Sequence, residues 1–100
     1  MKRVNVKKLG GRGCGKNGVV YCGRPSVLGN PYVIGRDGDR DEVIEKYRWW
    51  LWGKLKGGDR DVISEFENLN ESSVLGCWCD ENSNCHCDVI IRAWKWWKQA

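Results

Sequence analysis

Long apolar runs and prolines are scarce in this 100-residue sequence. No run approaches the roughly 20 apolar residues that a membrane-spanning helix needs. The basic N-terminus is followed by glycines instead of the apolar segment of a secretion signal, so we expect a cytoplasmic chain with no membrane contact. With two prolines, 41% hydrophobic and 30% charged residues, the composition is typical of an ordered globular chain. The length predicts a single domain over residues 1–100.

Cysteine and tryptophan are the residues in excess. Six cysteines would indicate a disulfide scaffold in a secreted chain, but without a secretion signal we expect reduced, buried or metal-bound thiols. Seven of the eleven aromatic residues are Trp, clustered as WWLW at 49–52 and WKWW at 94–97. Because neighbours on a helix point about 100° apart, some of these rings must be exposed. We expect them to form a homo-oligomer interface, with stacking on a ligand as the alternative.

Positive charge is concentrated in the first part of the chain. Residues 1–40 carry nine Lys and Arg against two Asp, a net charge of +7, whereas residues 41–100 have a net charge of −3. A basic, glycine-rich segment favours an anionic partner such as phosphate or nucleic acid, although a merely solvated basic face is the alternative.

The order of the elements predicts a small α/β fold, with a single-layer sheet of three to four strands and helices packed on it. Apolar periodicity predicts strands at 3–7, 19–22 and 73–78 and helices at 40–52, 62–69 and 85–98. Asp39 or Asp41 is the expected N-cap of the first helix, and Asp59 or Asp61 that of the second. A glycine-rich basic loop is expected between the first two strands.

The strongest chemical motif is CWCDENSNCHCD, residues 77–88. Zinc takes four thiolate or imidazole ligands in a tetrahedron. The candidate zinc ligands are therefore Cys77, Cys79, Cys85 and His86, with Cys87 as an alternative fourth. Two other uses of this segment stay open: reduced buried thiols, and a Cys85 nucleophile activated by a helix N-terminus with His86 as its base.

The second motif is GRPSVLGNP, residues 23–31, which follows a predicted strand. Its glycines would leave backbone amides open to an anion, and Arg24 can donate two hydrogen bonds to a phosphate. Ser26 and Asn30 add short polar side chains. The spacing is neither that of a Walker loop nor that of a dinucleotide-binding glycine motif, and a rigid structural turn is the alternative.

The chain resembles an uncharacterised domain-of-unknown-function family of phages and bacteria, the 4326 type. The resemblance rests on two stretches, VVYCGRPSVLGNPYVIGRDGDRDEVIEKYRWWL and SVLGCWCDENSNCHCDVII, and covers residues 18–97. The family pattern is GRPS…GNP, a helix, GCWC and a CHGD-type helix start. It implies a compact α/β domain with one site formed by Gly23, Arg24, Pro25, Ser26, Gly29, Asn30, Pro31, Cys77, Cys79, Cys85, His86 and Asp88. Cys87 stands where the family usually has Gly, so its role stays open.

The family has no assigned activity, so the function must follow from the site. If the strands before the two motifs are parallel neighbours, both motifs meet at the carboxyl edge of the sheet, where open α/β sheets bind ligands. We expect a non-catalytic site there for a nucleotide-like, phosphate-bearing small molecule, used by a phage to sequester a host immune signalling nucleotide. The expected ligand-binding residues are Gly23, Arg24, Pro25, Ser26, Gly29, Asn30, Cys85, His86 and Asp88.

Two other classes of function remain open at this stage. The first is a zinc-stabilised nucleic-acid-binding module, for which the basic front segment would be the contact surface. The second is a small enzyme that processes a nucleotide through Cys85, His86 or Asp88.

Overall fold

The computed structural model describes residues 1–8, 11, 18–24, 26–79 and 83–99. Within these residues three strands, β1 (Lys2–Asn5), β2 (Val19–Tyr21) and β3 (Val74–Cys77), form a parallel sheet in the order β1-β3-β2. The three helices of the same ranges are α1 (Arg40–Lys56), α2 (Arg60–Glu67) and α3 (His86–Gln99). The predicted small α/β fold with one sheet is therefore confirmed.

The first helix begins where the sequence predicts and ends later. The Asp39 side chain accepts the N–H of Glu42, whose carboxylate accepts the N–H of Asp39, so a complete capping box starts α1. The helix continues past Gly53 because Leu55 is buried in the core. It stops before Gly58, whose φ of 75° is a left-handed conformation that glycine adopts without strain.

The first strand is shorter than the alternation predicts. The Oδ1 atom of Asn5 accepts the backbone N–H of Lys7 at 2.8 Å, and this turns the chain into a single 3₁₀ turn over Val6–Lys8. Val6 is fully buried there and packs with Val19. The apolar residue at position 6 is therefore part of the core, but the prediction of strand structure beyond Asn5 is wrong.

Two apolar clusters hold the sheet and the helices together. The larger one joins side chains of all three helices to Leu75 of β3, and its largest fully buried members are Tyr47 and Phe66. The smaller one packs Val4, Val19 and Val74 around Val6. Because successive strand residues point to opposite faces, Val74 and Leu75 belong to different clusters. The helices thus cover mainly one face of the sheet.

The topology brings the ends of β2 and β3 side by side. Both strands run in the same direction, and the N–H of Cys22 continues the pairing by donating to the carbonyl of Gly76 at 2.9 Å. The two motifs leave the sheet at this edge. Among the described residues no helix is long and apolar enough to cross a membrane. Most of the expected glycine-rich loop lies outside the described residues, which include only Gly11 and Gly18 of it.

Candidate ligand pocket and thiol cluster

A cavity of about 490 Å³ opens at the carboxyl edge of β2 and β3, and we call it the rim pocket. It is lined by both motifs, so the predicted convergence of the two segments at one edge is what the structure shows. The polar and aromatic lining comprises Tyr21, Arg24, Asn30, Tyr32, Arg40, Trp78, Asn84 and His86. Gly23, Cys79 and Cys85 also line it.

Two arginines supply the positive charge of the rim pocket. Arg24 lies on the loop after β2 with an exposed side chain, and no hydrogen bond or ion pair within the described residues engages its guanidinium. Arg40 starts α1 and donates from Nη1 to the carbonyl oxygen of Asn84 at 3.1 Å and to the Cys79 sulfur at 3.4 Å. Arg40 is thus held against the pocket wall, while Arg24 is available to an anion.

The aromatic side of the rim pocket is tied together through one hydroxyl group. The Tyr21 hydroxyl donates to the carbonyl of Arg24 at 3.0 Å and accepts the Nε1–H of Trp78 at 2.9 Å. Trp78 is 51% exposed, so one ring is displayed at the pocket mouth in a fixed position. These hydrogen bonds therefore link the end of β2, the loop that carries Arg24 and the end of β3 in the absence of a ligand.

The glycines of the first motif are needed for close packing. A Cβ atom on Gly29 would lie 3.0–3.1 Å from backbone atoms of Gly23, Arg24 and Ser26, tighter than real Cβ contacts usually allow. Asn30 lines the pocket, but its amide is already engaged: Nδ2 donates to the carbonyl of Val43, and Oδ1 accepts the N–H of Tyr32. These bonds fasten the turn to α1.

Three described residues of the predicted ligand set, Ser26, Gly29 and Asp88, do not line the rim pocket. Ser26 does not line the rim pocket, and its buried Oγ has no hydrogen-bond partner among the described residues. Asp88 pairs with Arg3 of β1 at 3.2 Å and lines a neighbouring groove between α1 and α3. Pro25 lies outside the described residues.

A cluster of thiols lies directly beneath the rim pocket. The sulfur atoms of Cys77, Cys79 and Cys85 are all within 4.8 Å of one another, and a second group of the same compactness joins Cys85 to His86 and Cys87. The five described cysteines are all free, and the sixth, Cys14, lies outside the described residues. The cluster contains the ligand types, at the separations, that could hold a metal ion.

His86 connects this cluster to the first motif. Its Nε2–H donates to the carbonyl oxygen of Cys22 at 2.6 Å, and its Nδ1 lies 3.8 Å from the Cys85 sulfur. Burial disfavours the charged imidazole, but the hydrogen bond and charge of Cys85 outweigh it, so the pKa of His86 is raised. The bond to Cys22 leaves Nδ1 as the ring atom that faces the thiols.

The surroundings of the thiols stabilise negative charge on selected sulfurs. Hydrogen bonds from Cys77 and Cys79 lower the pKa of Cys85, whose sulfur also accepts the N–H of Cys87 in the first turn of α3. A hydrogen bond from Cys79 lowers the pKa of Cys77 to about 6. Hydrogen bonds to Cys77 and Cys85 raise the pKa of Cys79, and a hydrogen bond to Cys22, followed by those to Cys77 and Cys85, raises the pKa of Cys87.

Sequence reasoning missed five polar or aromatic residues of the rim pocket: Tyr21, Tyr32, Arg40, Trp78 and Asn84. For Trp78 a signal was present, since alternation places it opposite its two neighbours, the buried Cys77 and the half-buried Cys79. Arg40 and Tyr32 carried no such signal, because the turn over 33–38 brings them to the pocket. That turn is closed by the N–H of Val33 donating to the Asp37 carboxylate at 2.8 Å.

The comparisons with known proteins place the chain in a family without a described activity. Neither the curated proteins nor the solved structures gave a match. A family profile matches residues 4–96, which is nearly the whole chain. The protein therefore belongs to the DUF4326 family, a domain of unknown function.

Proposed function

We propose that this domain binds a nucleotide-like, phosphate-bearing small molecule in the rim pocket and does not transform it. The observation that carries the proposal is one cavity of about 490 Å³ that combines two arginines with three aromatic rings. Ligand pockets of roughly 300–1,000 Å³ hold small molecules of nucleotide size. The carboxyl edge of parallel strands is also where α/β sheets commonly bind them.

The two arginines are suited to different parts of such a ligand. Arg24 is exposed at the pocket mouth and can form a charge-assisted, two-bond contact with a phosphate. Arg40 keeps its contacts to Asn84 and Cys79 and adds fixed positive charge deeper in the pocket. Together they would attract an anion to the same side of the cavity.

The aromatic residues would hold the base. Trp78 and Tyr32 both line the cavity, and a flat heterocycle can stack on such rings. Because the Tyr21 hydroxyl already fixes Trp78, little side-chain freedom would be lost when the ligand binds.

Binding without catalysis is favoured by what surrounds the pocket. Among the described lining residues there is no carboxylate to act as a general acid or base. The chain has one histidine, and its Nε2 is committed to the carbonyl of Cys22. The Cys85 sulfur is buried and faces the other thiols. The contact between a thiol and the imidazole, His86 Nδ1 at 3.8 Å from the Cys85 sulfur, lies among the groups that could hold a metal ion.

Zinc is the ion that we propose for the thiol cluster. Tetrahedral zinc holds thiolates about 3.8 Å apart, which Cys77, Cys79 and Cys85 reach with small movements from separations below 4.8 Å. His86 would be the fourth ligand through Nδ1. Its Nε2–H bond to a backbone carbonyl is the contact that typically orients metal-binding histidines. The ion would join the end of β3 to the start of α3.

Sequestration of a host signalling nucleotide in the cytoplasm of an infected cell is the biological use that the phage resemblance predicts. A non-catalytic pocket fits that use, since a sequestering protein needs affinity and not turnover. The phage origin, the cytoplasmic location and the homo-oligomer stay predictions.

The test is calorimetric titration with the four nucleoside 5′-monophosphates, the corresponding diphosphates and inorganic phosphate. We expect at least one nucleotide to bind more tightly than phosphate, and Arg24→Ala to weaken its binding about tenfold to over a hundredfold. Arg36→Ala is the matched control, because Arg36 pairs with Asp37 away from the pocket lining. The proposal fails if no nucleotide binds, or if Arg24→Ala binds as tightly as Arg36→Ala.

A further inference from the structure

A second cavity of about 900 Å³ runs between α1 and α3, and we call it the tryptophan groove. It borders the rim pocket, since Ile44, Asn84 and Cys85 line both cavities. Ile44 lies in the first half of α1, and Asn84 and Cys85 directly precede α3. A ligand larger than one nucleotide could therefore extend from the rim pocket along the helices.

Three exposed tryptophan rings form a row in this groove. Trp49, Trp52 and Trp96 are 60%, 40% and 45% exposed. The ring centres of Trp49 and Trp52 are 6.0 Å apart, and those of Trp52 and Trp96 are 6.5 Å apart. Such rings offer π-faces on which unpaired bases of any sequence can stack.

Positive charge accompanies the rings. The groove lining includes Arg48, Arg92 and Lys95, and the Lys56 ammonium lies 4.3 Å from the centre of the Trp52 ring. Asp88 is the acidic residue of the described lining, and it is already paired with a basic side chain of β1. Glu45 lies nearby and is bound to Arg48 and to the Trp49 indole N–H. The groove therefore complements an anionic chain.

We propose that the rim pocket takes the terminal nucleotide of a single-stranded nucleic acid, and that the next nucleotides lie along the tryptophan groove. This inference rests on the proposed nucleotide pocket and goes beyond it, because the ligand is a strand and not a small molecule. A positive groove with aromatic stacking platforms is the usual way in which proteins bind unpaired strands. The rim pocket would bind the end of the nucleic-acid strand, and the tryptophan groove would add affinity with little sequence preference.

A second copy of this chain is the other occupant that an apolar groove could take. Laying one groove on another would bring the same three cations from both copies together, and like charges facing each other oppose such an interface. Charge complementarity thus favours the nucleic acid, and self-association through the groove becomes an outcome of the test.

The experiment measures fluorescence anisotropy with deoxythymidylate probes of one, two, four and eight nucleotides. In one set each probe is phosphorylated at its 5′ end and labelled at its 3′ end. In a second set the phosphate is at the 3′ end and the label at the 5′ end. We expect affinity to rise with length to about four nucleotides, roughly tenfold for each base that stacks. Trp49→Ala should lower the affinity for the eight-nucleotide probe about tenfold and leave the one-nucleotide probe unchanged.

Other variants separate the groove from the rim pocket. Trp78→Ala, at the pocket mouth, should weaken the short and the long probes alike. Arg92→Gln should weaken the long probe alone, and Arg60→Gln is its charge-matched control, because Arg60 of α2 lines neither cavity.

Three results would overturn the inference. Equal affinity for one and eight nucleotides would leave the pocket proposal standing and remove the groove from it. Binding of the long probe that Arg24→Ala does not affect would show that the pocket does not hold the strand end. Sedimentation in which Trp49→Ala turns a dimer into a monomer, with unchanged affinity for the long probe, would assign the groove to a second copy.

Discussion

The imidazole of His86 donates from Nε2 to the backbone carbonyl oxygen of Cys22 at 2.6 Å, which joins the start of α3 to the end of β2. The two residues are 64 positions apart: Cys22 directly precedes the first motif, and His86 belongs to the second. This bond directs Nδ1 towards the thiols and fixes the loop that carries Arg24. The thiol cluster and the ligand pocket therefore share one anchoring contact.

The zinc proposal predicts metal content directly. Protein purified without a chelator should contain about one zinc per chain by inductively coupled plasma mass spectrometry, and Cys79→Ser or His86→Ala should lose most of it. Chelator should lower the melting temperature of the wild type, because metal-binding free energy is also folding free energy.

Cys22→Ser is the control for that measurement. It removes a neighbouring thiol but keeps the backbone carbonyl that His86 binds, so zinc content should stay at one per chain. If Cys87→Ser loses the metal and His86→Ala retains it, the fourth ligand is Cys87 instead. A metal-free wild type would contradict the zinc site as a whole.

The backbone at Gly23 lies so close to the Tyr21 ring that a side chain at this position should disturb the rim pocket. A Cβ atom there would lie 2.6 Å from Cζ of Tyr21, and that ring is held by its bonds to the Arg24 carbonyl and Trp78. Gly23→Ala should therefore cost about 1–3 kcal/mol of stability and weaken nucleotide binding. Gly53→Ala is the control, since no atom lies within 4 Å of its Cβ.

Gly53 is in the interior of α1, so alanine should raise stability by about 0.5–1 kcal/mol. Urea unfolding of both variants measures the two effects. Equal stabilities for Gly23→Ala and the wild type would show that the Tyr21 ring can move aside without cost.

Removal of the Tyr21 hydroxyl group should lower the affinity for a nucleotide with little loss of stability. Tyr21→Phe removes two hydrogen bonds that hold the pocket wall, so nucleotide affinity should fall several-fold while unfolding free energy changes by about 1 kcal/mol. Tyr32→Phe is the matched control, because no hydrogen bond within the described residues involves its hydroxyl. Identical affinities in the two variants would show that the fixed position of Trp78 is unimportant.

Local patterns in the sequence predict most of the fold. Alternation in β3 buries Cys77 and exposes Trp78, and Asp39 and Asp59 cap α1 and α2 as their positions before apolar-periodic segments indicate. The rule that parallel strands end at one edge predicted the meeting of the two motifs on the condition that their strands are parallel neighbours, which β2 and β3 are. These features depend on periodicity and on chirality, which a single sequence displays.

Contacts between distant segments account for what the sequence did not predict. Asp88 was expected to face the ligand, but Arg3, 85 positions earlier, pairs with it. Arg40 looked like the first residue of a helix and no more, and only the fold places it against Cys79. No periodicity encodes such pairings, because they depend on how the strands and helices are arranged in space.

The most direct test of the pocket is a nuclear magnetic resonance titration of ¹⁵N-labelled protein with the nucleoside monophosphate that binds best in calorimetry. The account predicts shifts at the amides of Gly23 and Arg24 and at the indole N–H of Trp78, with the amides of α2 unchanged. Two results would contradict a nucleotide site at the rim of the sheet. In the first, other signals shift to saturation while these three do not move; in the second, no signal shifts at any nucleotide concentration.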